Sequence, residues 1–348
     1  MEIALVADFG NRFSGSFIPN VCALARKVTE RGDGLTLISA RVDGATWHER
    51  VRESGAELVL TSSGREVFDA LRKRRPAIVH THFLGYTLPA TLAATLTRAR
   101  LIWHLHSGIP PSSGRWRRQR SRLRYQVLGR KTHRFVAVSH ALAHELFACG
   151  LDPRRTIVVG NAVDTSHFRP PAPPERAAAR AALGLNENSF VLGFFGRDSY
   201  VKGTDILLQA LDEVDDVTLL AVGLPPKDRT GAESSGRALT IDASPDPRAI
   251  YWACDALALP SRVEAAPYTL MEALCCGLPV IASDLPAIRE TAGDAASVRF
   301  FPAGDWMQLR SALRQLVDRA WTVAPLDPAV QERLTLDRWV ADVLRLYD

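Results

Sequence analysis

The chain of 348 residues has no run of about eighteen apolar residues, the length a membrane-spanning helix needs, which argues against a helical integral membrane protein. It enters a strand-like segment at once, Ile3-Ala-Leu-Val-Ala7, with no positive-then-apolar leader, so a cytoplasmic protein is expected. Cysteine is scarce: Cys22, Cys149, Cys254, Cys275 and Cys276 show neither C-x-x-C nor a mixed Cys/His ligand spacing. Buried free thiols are therefore expected rather than a structural zinc site. A convincing D-x-D metal pair is also lacking. Lysine is rare, 5 against 38 arginines, and with abundant alanine this suits a GC-rich bacterial coding sequence.

What is present is the composition of a globular protein, 47% hydrophobic and 23% charged, with core enough for two domains. The net charge of +5 hides an asymmetry. Residues 1–170 carry 26 Lys and Arg against 13 Asp and Glu, whereas the remainder carries 17 against 25. A basic half of this kind invites an anionic partner, such as a membrane surface, a phosphorylated acceptor or nucleic acid.

Strand-like and helix-like segments alternate through the first half: Glu2–Ala7, a helix from about Ser16 to Arg31, then strands at Leu35–Ala40, Glu57–Thr61, Ala77–Thr81, Arg100–Leu105 and Phe135–Ser139. Repeated βαβ units predict a parallel sheet covered by helices, a Rossmann-like domain. Gly10 to Ser16, including Gly15, is a loop directly before a helix, where backbone N–H groups can face an anion; an ordinary βα loop is the alternative. His106 falls at the end of a predicted strand, with His104 two residues away on the same face as its candidate orienting partner; His82 ends the preceding strand and is read as structural. Residues 114–134 hold nine Arg or Lys interleaved with Trp116, Leu123, Tyr125 and Leu128, a pattern that suits an anionic lipid surface or a solvated helix face. No RNA- or DNA-binding motif accompanies the tract, and nucleic acid is not expected as a partner.

Proline-rich residues from Arg169 to Pro174 read as a stiff linker. The expected organisation is therefore an N-terminal Rossmann-like domain over 1–168, a linker and first helix over 169–188, a second Rossmann-like domain over 189–330 and a final helix over 331–348. In the second half, Phe190–Phe195 reads as a strand, followed by Gly196-Arg-Asp-Ser-Tyr-Val-Lys-Gly-Thr-Asp205 and a helix. Arg197 and Lys202 on a glycine-bracketed loop before a helix suit a diphosphate. Further on, Asp255–Pro260 reads as a buried strand and Thr269–Gly277 as a helix closed by glycine, with Val280-Ile-Ala the next strand. Glu264 then sits beyond a strand C-terminus, where ligands of parallel sheets lie, and Glu272 about two turns into the helix. Ionised carboxylates accept hydrogen bonds from adjacent hydroxyls, which suits hydroxyl-rich ligands.

Pro-Ser-x-x-Glu264, Glu272-Ala-Leu-Cys-Cys-Gly-x-Pro-Val-Ile-Ala-Ser, the G-R-x-x-x-x-K-G pattern at 196–203 and the connector Asn161-Ala-Val-Asp-Thr-Ser-His-Phe-Arg-Pro170 occur in the order seen in retaining GT-B glycosyltransferases of the E-x7-E type. The chain resembles that family, glycosyltransferase family 4-like, over most of its length. The resemblance implies two Rossmann-like domains facing an interdomain cleft, with transfer of a sugar from a nucleoside diphosphate donor, preferably UDP, to a hydroxyl. It implies that Arg197 and Lys202 hold the diphosphate, Glu264 and His106 the donor sugar and Glu272 the ribose. Gly15, Ser16, Gly196 and the amides of Ala266, Tyr268 and Thr269 line the donor site. No cofactor or metal is expected, and front-face attack assisted by the leaving phosphate is favoured. The acceptor is expected to be a lipid-linked glycan of envelope polysaccharide, with peripheral contact at the inner membrane face through 114–134. A natural-product acceptor, or a nucleotide-sugar-binding protein of the same fold, epimerase-like or a subunit without turnover, is the alternative. Ser16 and Ala162 stand where the family has glycine, and Glu264-Ala-Ala-Pro-Tyr268 departs from E-G-F-G, so Pro267 offers no N–H there.

Overall fold

The computed structural model describes residues 1–108, 115–196, 199–233, 236–318 and 326–348. The chain divides into two compact units: Met1–Ala162 with Leu336–Asp348 form unit 1, and Val163–Thr335 form unit 2. None of the described helices is long and apolar enough to cross a membrane.

Unit 1 runs β1 (Glu2–Ala7), α1 (Phe17–Glu30), β2 (Gly34–Ala40), α2 (His48–Glu53), β3 (Glu57–Thr61), α3 (Gly64–Arg74), β4 (Ile78–His82), α4 (Thr87–Thr97), β5 (Arg100–Leu105), α5 (Arg115–Val127), β6 (Arg134–Ala137), α6 (His140–Ala148) and β7 (Thr156–Val158). The seven strands lie in the order β3-β2-β1-β4-β5-β6-β7, every pair parallel. β1 is buried along all but its first residue, as expected of a central strand covered on both faces. Its Ile3 and Leu5 join Val21, Leu24 and Val28 of α1 in one apolar core. Ser139, expected as a helix cap, caps α6 by accepting from the Leu142 amide at 3.1 Å.

Unit 2 runs α7 (Pro173–Ala182), β8 (Phe190–Phe195), α8 (Ser199–Lys202), α9 (Thr204–Leu211), β9 (Val217–Val222), α10 (Pro226–Glu233), β10 (Ala238–Ile241), α11 (Arg248–Ala253), β11 (Ala256–Leu259), α12 (Tyr268–Cys275), β12 (Val280–Ser283), α13 (Pro286–Ala292), β13 (Val298–Phe301), α14 (Trp306–Val317) and α15 (Pro328–Arg333). Its six strands are also parallel, in the order β10-β9-β8-β11-β12-β13. α7 is tied to the sheet by buried Arg180. Its guanidinium donates to the Ala253, Glu187 and Ser189 carbonyls and to Asp255, whose carboxylate also takes the Val191 amide.

The chain then returns to unit 1 as α16 (Leu336–Tyr347), which packs on α1 through buried Trp339, Val343 and Tyr347. The α16 residue Arg338 forks onto the Gly160 and Asn161 carbonyls at 2.9 and 2.8 Å. That fork holds the connector in place although Ala162 stands where the family has glycine.

Candidate functional site

In an open parallel sheet, strand order reverses between two neighbours whose following loops diverge, and ligands settle in the crevice left there. The reversal falls between β1 and β4 in unit 1 and between β8 and β11 in unit 2. The sequence-predicted residues gather at these two places.

In unit 2, Gly196 follows β8 directly. Arg197 lies outside the described residues. Lys202 ends α8, and its Nζ donates to Glu264 Oε1 at 2.7 Å. The same carboxylate oxygen accepts from the Ser261 hydroxyl at 2.7 Å. Gly203 makes this meeting possible. It has φ +72°, and a Cβ placed there would stand 2.0 Å from the Pro260 carbonyl oxygen, so only glycine lets α9 start against the end of β11. A second fastening comes from Arg262. Its guanidinium pairs with Asp205 at 2.7 and 2.8 Å, donates to the Tyr200 carbonyl at 2.8 Å and lies over the Tyr200 ring. The loop that carries Lys202 is thus bolted to the loop that carries Glu264.

Glu272 occupies the first turn and a half of α12, so it lies about one turn into the helix rather than two. The difference has a plain cause: the helix begins at Tyr268, with Pro267 as its N-cap and no side-chain cap bond. Glu272 is 7% exposed, and its carboxylate accepts from the Tyr251 hydroxyl at 2.6 Å. Burial and the neighbouring carboxylate raise the Tyr251 phenol well above its ordinary range, so it stays a donor. Its ring stacks on Phe195 at the end of β8, 4.8 Å between centroids. Ala266 is buried, and the Thr269 hydroxyl beside it is buried without a hydrogen-bond partner among the described residues. Ser261 and Tyr251 escaped sequence reading. Ser261 follows the Pro of the Pro-Ser-x-x-Glu pattern and could have been read from it, whereas nothing local marks Tyr251.

In unit 1, Gly15 adopts φ +50° with open space where a Cβ would be, and buried Ser16 is the N-cap of α1 without a side-chain cap bond. His106 stands one residue past β5 and is partly exposed. Its Nε2 lies 3.0 Å from Nδ1 of His82. The orienting partner is therefore His82, read from sequence as structural, and not His104. The Cα register pairs His82 with His104, so the ring of His82 reaches forward along the sheet to His106, two residues beyond. Phe83, which holds a positive φ of 64° uncommon for an aromatic residue, places its ring 4.6 Å from that of His106.

Behind this pair lies a buried bank of imidazoles. His80, His82 and His104 are at most 1% exposed, and His80 Nδ1 meets the Tyr347 hydroxyl of α16 at 2.8 Å. Burial pushes His80 down to about 3 and His82 and His104 well below the ordinary histidine range. Neutral imidazoles are the ligand form for a metal, and one nitrogen from each of the three falls within 4.8 Å of the others. Tetrahedral zinc with bonds near 2.0–2.1 Å needs nitrogens about 3.3 Å apart. The His80 and His104 rings are stacked within 5°, so their lone pairs run side by side instead of converging. The bank does not form a ligand set without ring rotation.

Two parallel α/β units, each with its polar residues at the strand-order reversal, define a GT-B architecture. Across the whole chain this fold matches Anabaena HepE in complex with UDP, with a TM-score of 0.83 at 18% identity, covering 100% of this chain and 99% of that one. It also matches WaaG, a glycosyltransferase involved in lipopolysaccharide biosynthesis, with a TM-score of 0.71 at 19% identity, covering 99% and 96%. The family model of Glycosyltransferase Family 4 matches residues 21–167, and that of Glycosyl transferases group 1 matches residues 175–324. The chain belongs to this glycosyltransferase family. A D-inositol 3-phosphate glycosyltransferase of Mycobacterium sp. (strain KMS) is 34% identical over 171 residues, 44% of this chain and 38% of that relative. The chain thus spans well under half of that relative's length. The corresponding protein of Mycolicibacterium vanbaalenii is 28% identical over 355 residues, 93% of this chain and 72% of its own length.

Proposed function

We propose that the protein transfers a sugar from a nucleoside diphosphate sugar to a hydroxyl acceptor with retention of configuration. The observation that carries this reading is the Lys202–Glu264–Ser261 cluster at the β8/β11 reversal. In the step, the bond between sugar C1 and the phosphate oxygen breaks with its electron pair leaving on the diphosphate. The acceptor oxygen bonds C1 from the same face, and its proton passes to the departing phosphate. Negative charge grows on the leaving group, and preorganised cations stabilise it better than water does. Lys202 and Arg197 take that role, which makes the transfer independent of a metal; activity that survives EDTA is expected.

A Lys202 that turns to the phosphates frees Glu264 for the hydroxyls of the donor sugar, while Glu272, oriented by Tyr251, takes the ribose. His106 is assigned to the donor sugar on the family resemblance. UDP is favoured because the Anabaena neighbour is known with UDP and with UDP-glucose. A lipid-linked glycan of the bacterial envelope is the proposed acceptor, supported by the likeness to WaaG and by the basic tract 114–134.

Ser16 and Pro267, where the family has glycine and a backbone donor, favour a second reading: a protein that binds the nucleotide sugar without turning it over, or tailors a small natural product. UDP release from UDP-glucose measured with and without added acceptor separates the two. Lys202→Ala should lower kcat by roughly 100- to 1,000-fold, the size expected for losing one charge-stabilising donor. Near-normal turnover in that variant would refute the role given to Lys202.

A further inference from the structure

Surface helices of soluble proteins ordinarily turn charged residues outward. α4 does not. Its eleven residues, Thr-Leu-Pro-Ala-Thr-Leu-Ala-Ala-Thr-Leu-Thr, contain no charge, and Leu88, Leu92 and Leu96 are 50%, 49% and 65% exposed. Spaced four apart, they form one outward stripe. α5 adds Trp116 at 81%, Leu123 at 61% and Val127 at 55% exposed. The short 3₁₀ turn Leu128–Lys131 that continues α5 packs against α4, so the C-terminal end of α5 lies beside α4 on unit 1. Six of the nine large apolar side chains exposed among the described residues lie on these two helices.

The rim of this patch is mainly basic, with Glu66 and Asp69 the exposed acids on the α3 side. α5 carries six arginines and no acid, with Arg120 and Arg122 exposed. On the other side α3 packs against α4 and ends in exposed Arg72, Lys73, Arg74 and Arg75.

We infer that α4 and α5 together form a docking face for an anionic lipid bilayer, with the α4 leucines and Trp116 entering the interface and the flanking arginines meeting the headgroups. An apolar stripe edged by cations is what such a surface requires, since each part of the bilayer boundary finds its complement. A second copy of the chain fits less well, because pairing the stripes would bring like-charged rims together. Nucleic acid would use the cations and leave the leucines in water. The inference builds on the lipid-linked acceptor proposed above, to which it gives a place of encounter. Its test needs neither donor nor acceptor, so its failure would leave the transfer reading intact, and failed transfer would leave the docking face intact.

The test is co-sedimentation of the full chain with vesicles of phosphatidylcholine alone and with added phosphatidylglycerol, at low and high salt. The wild type should partition onto the anionic vesicles only. The triple variant Leu88→Ser/Leu92→Ser/Leu96→Ser should lose about tenfold or more of that partitioning at either salt concentration, while Arg120→Gln/Arg122→Gln should weaken it chiefly at low salt. Both variants change exposed positions, and an unchanged circular-dichroism melt shows that they fold. The inference is overturned if the wild type ignores anionic vesicles or if the leucine variant binds as the wild type does. It is equally overturned if the wild type is a dimer that the leucine changes dissociate while vesicle binding stays the same.

Discussion

Mild acid should unfold unit 1 ahead of unit 2. His80, His82 and His104 are buried neutral, with His80 held near 3 and the other two well below their ordinary range by loss of solvation. Once unfolded, each returns to about 6.5. Because the folded value is the lower one, the unfolded chain binds more protons below pH 6.5. Stability is therefore fully present above that pH and falls as pH drops through it. His80 alone contributes a slope of about 1.4 kcal/mol per pH unit, or about 2 kcal/mol by pH 5, and His82 and His104 act in the same direction. The His80 share alone is a sizeable fraction of the whole stability of an ordinary domain, about 5–15 kcal/mol. Paired carboxylates such as Glu57 and Asp152 titrate lower, so the window from pH 6.5 to 5 belongs to the histidines. Unit 2 contains only the partly exposed His167. Hydrogen exchange read by mass spectrometry at pH 7 and pH 5, corrected for intrinsic rates, should show β4 and β5 peptides losing protection while β8 and β11 keep theirs. Equal protection of β4 at both pH values would refute the argument.

Gly203→Ala should abolish transfer and lower stability by several kcal/mol, since the new methyl meets backbone at 2.0 Å in a left-handed conformation; a melting curve and a UDP-release assay check both. Arg180→Ala should destabilise unit 2 by about 3 kcal/mol in urea unfolding, because four carbonyls lose their shared donor while Asp255 keeps Arg176. Tyr251→Phe removes the 2.6 Å bond to Glu272 and should raise KM for the donor about tenfold with a smaller change in kcat; the reverse pattern would remove Glu272 from ribose binding.

Much of the fold could be read along the chain because each βαβ unit is written locally. Residues 2–7, 57–61, 100–105 and 190–195 form strands with the expected limits. What could not be read depends on register between distant strands. His82 reaches His106 across 24 residues, and the choice between His82 and His104 is made by how β4 pairs with β5. Tyr251 of α11 meets Glu272 of α12 across 21 residues, which depends on how the two helices lie against the sheet. Lys202 and Glu264 were legible as residues of the site, but their mutual ion pair was not, since it depends on the contact of Gly203 with Pro260. Nothing local marks the α4 leucines as exposed, and only the fold shows them turned outward.

The way unit 2 leaves and returns has a consequence for how such proteins can be recombined. Its first residue, Val163, forms a bridge with its last, Thr335, and the Val163 amide donates to the Leu334 carbonyl at 2.9 Å. The severed ends of unit 1 are likewise held together by the Arg338 fork on Gly160 and Asn161. Residues 163–335 are therefore an insert whose two ends already meet, a cassette carried in a single break of its host. It can be exchanged by splicing at that one seam, whereas truncation after residue 162 would strip Trp339, Val343 and Tyr347 from the host's core.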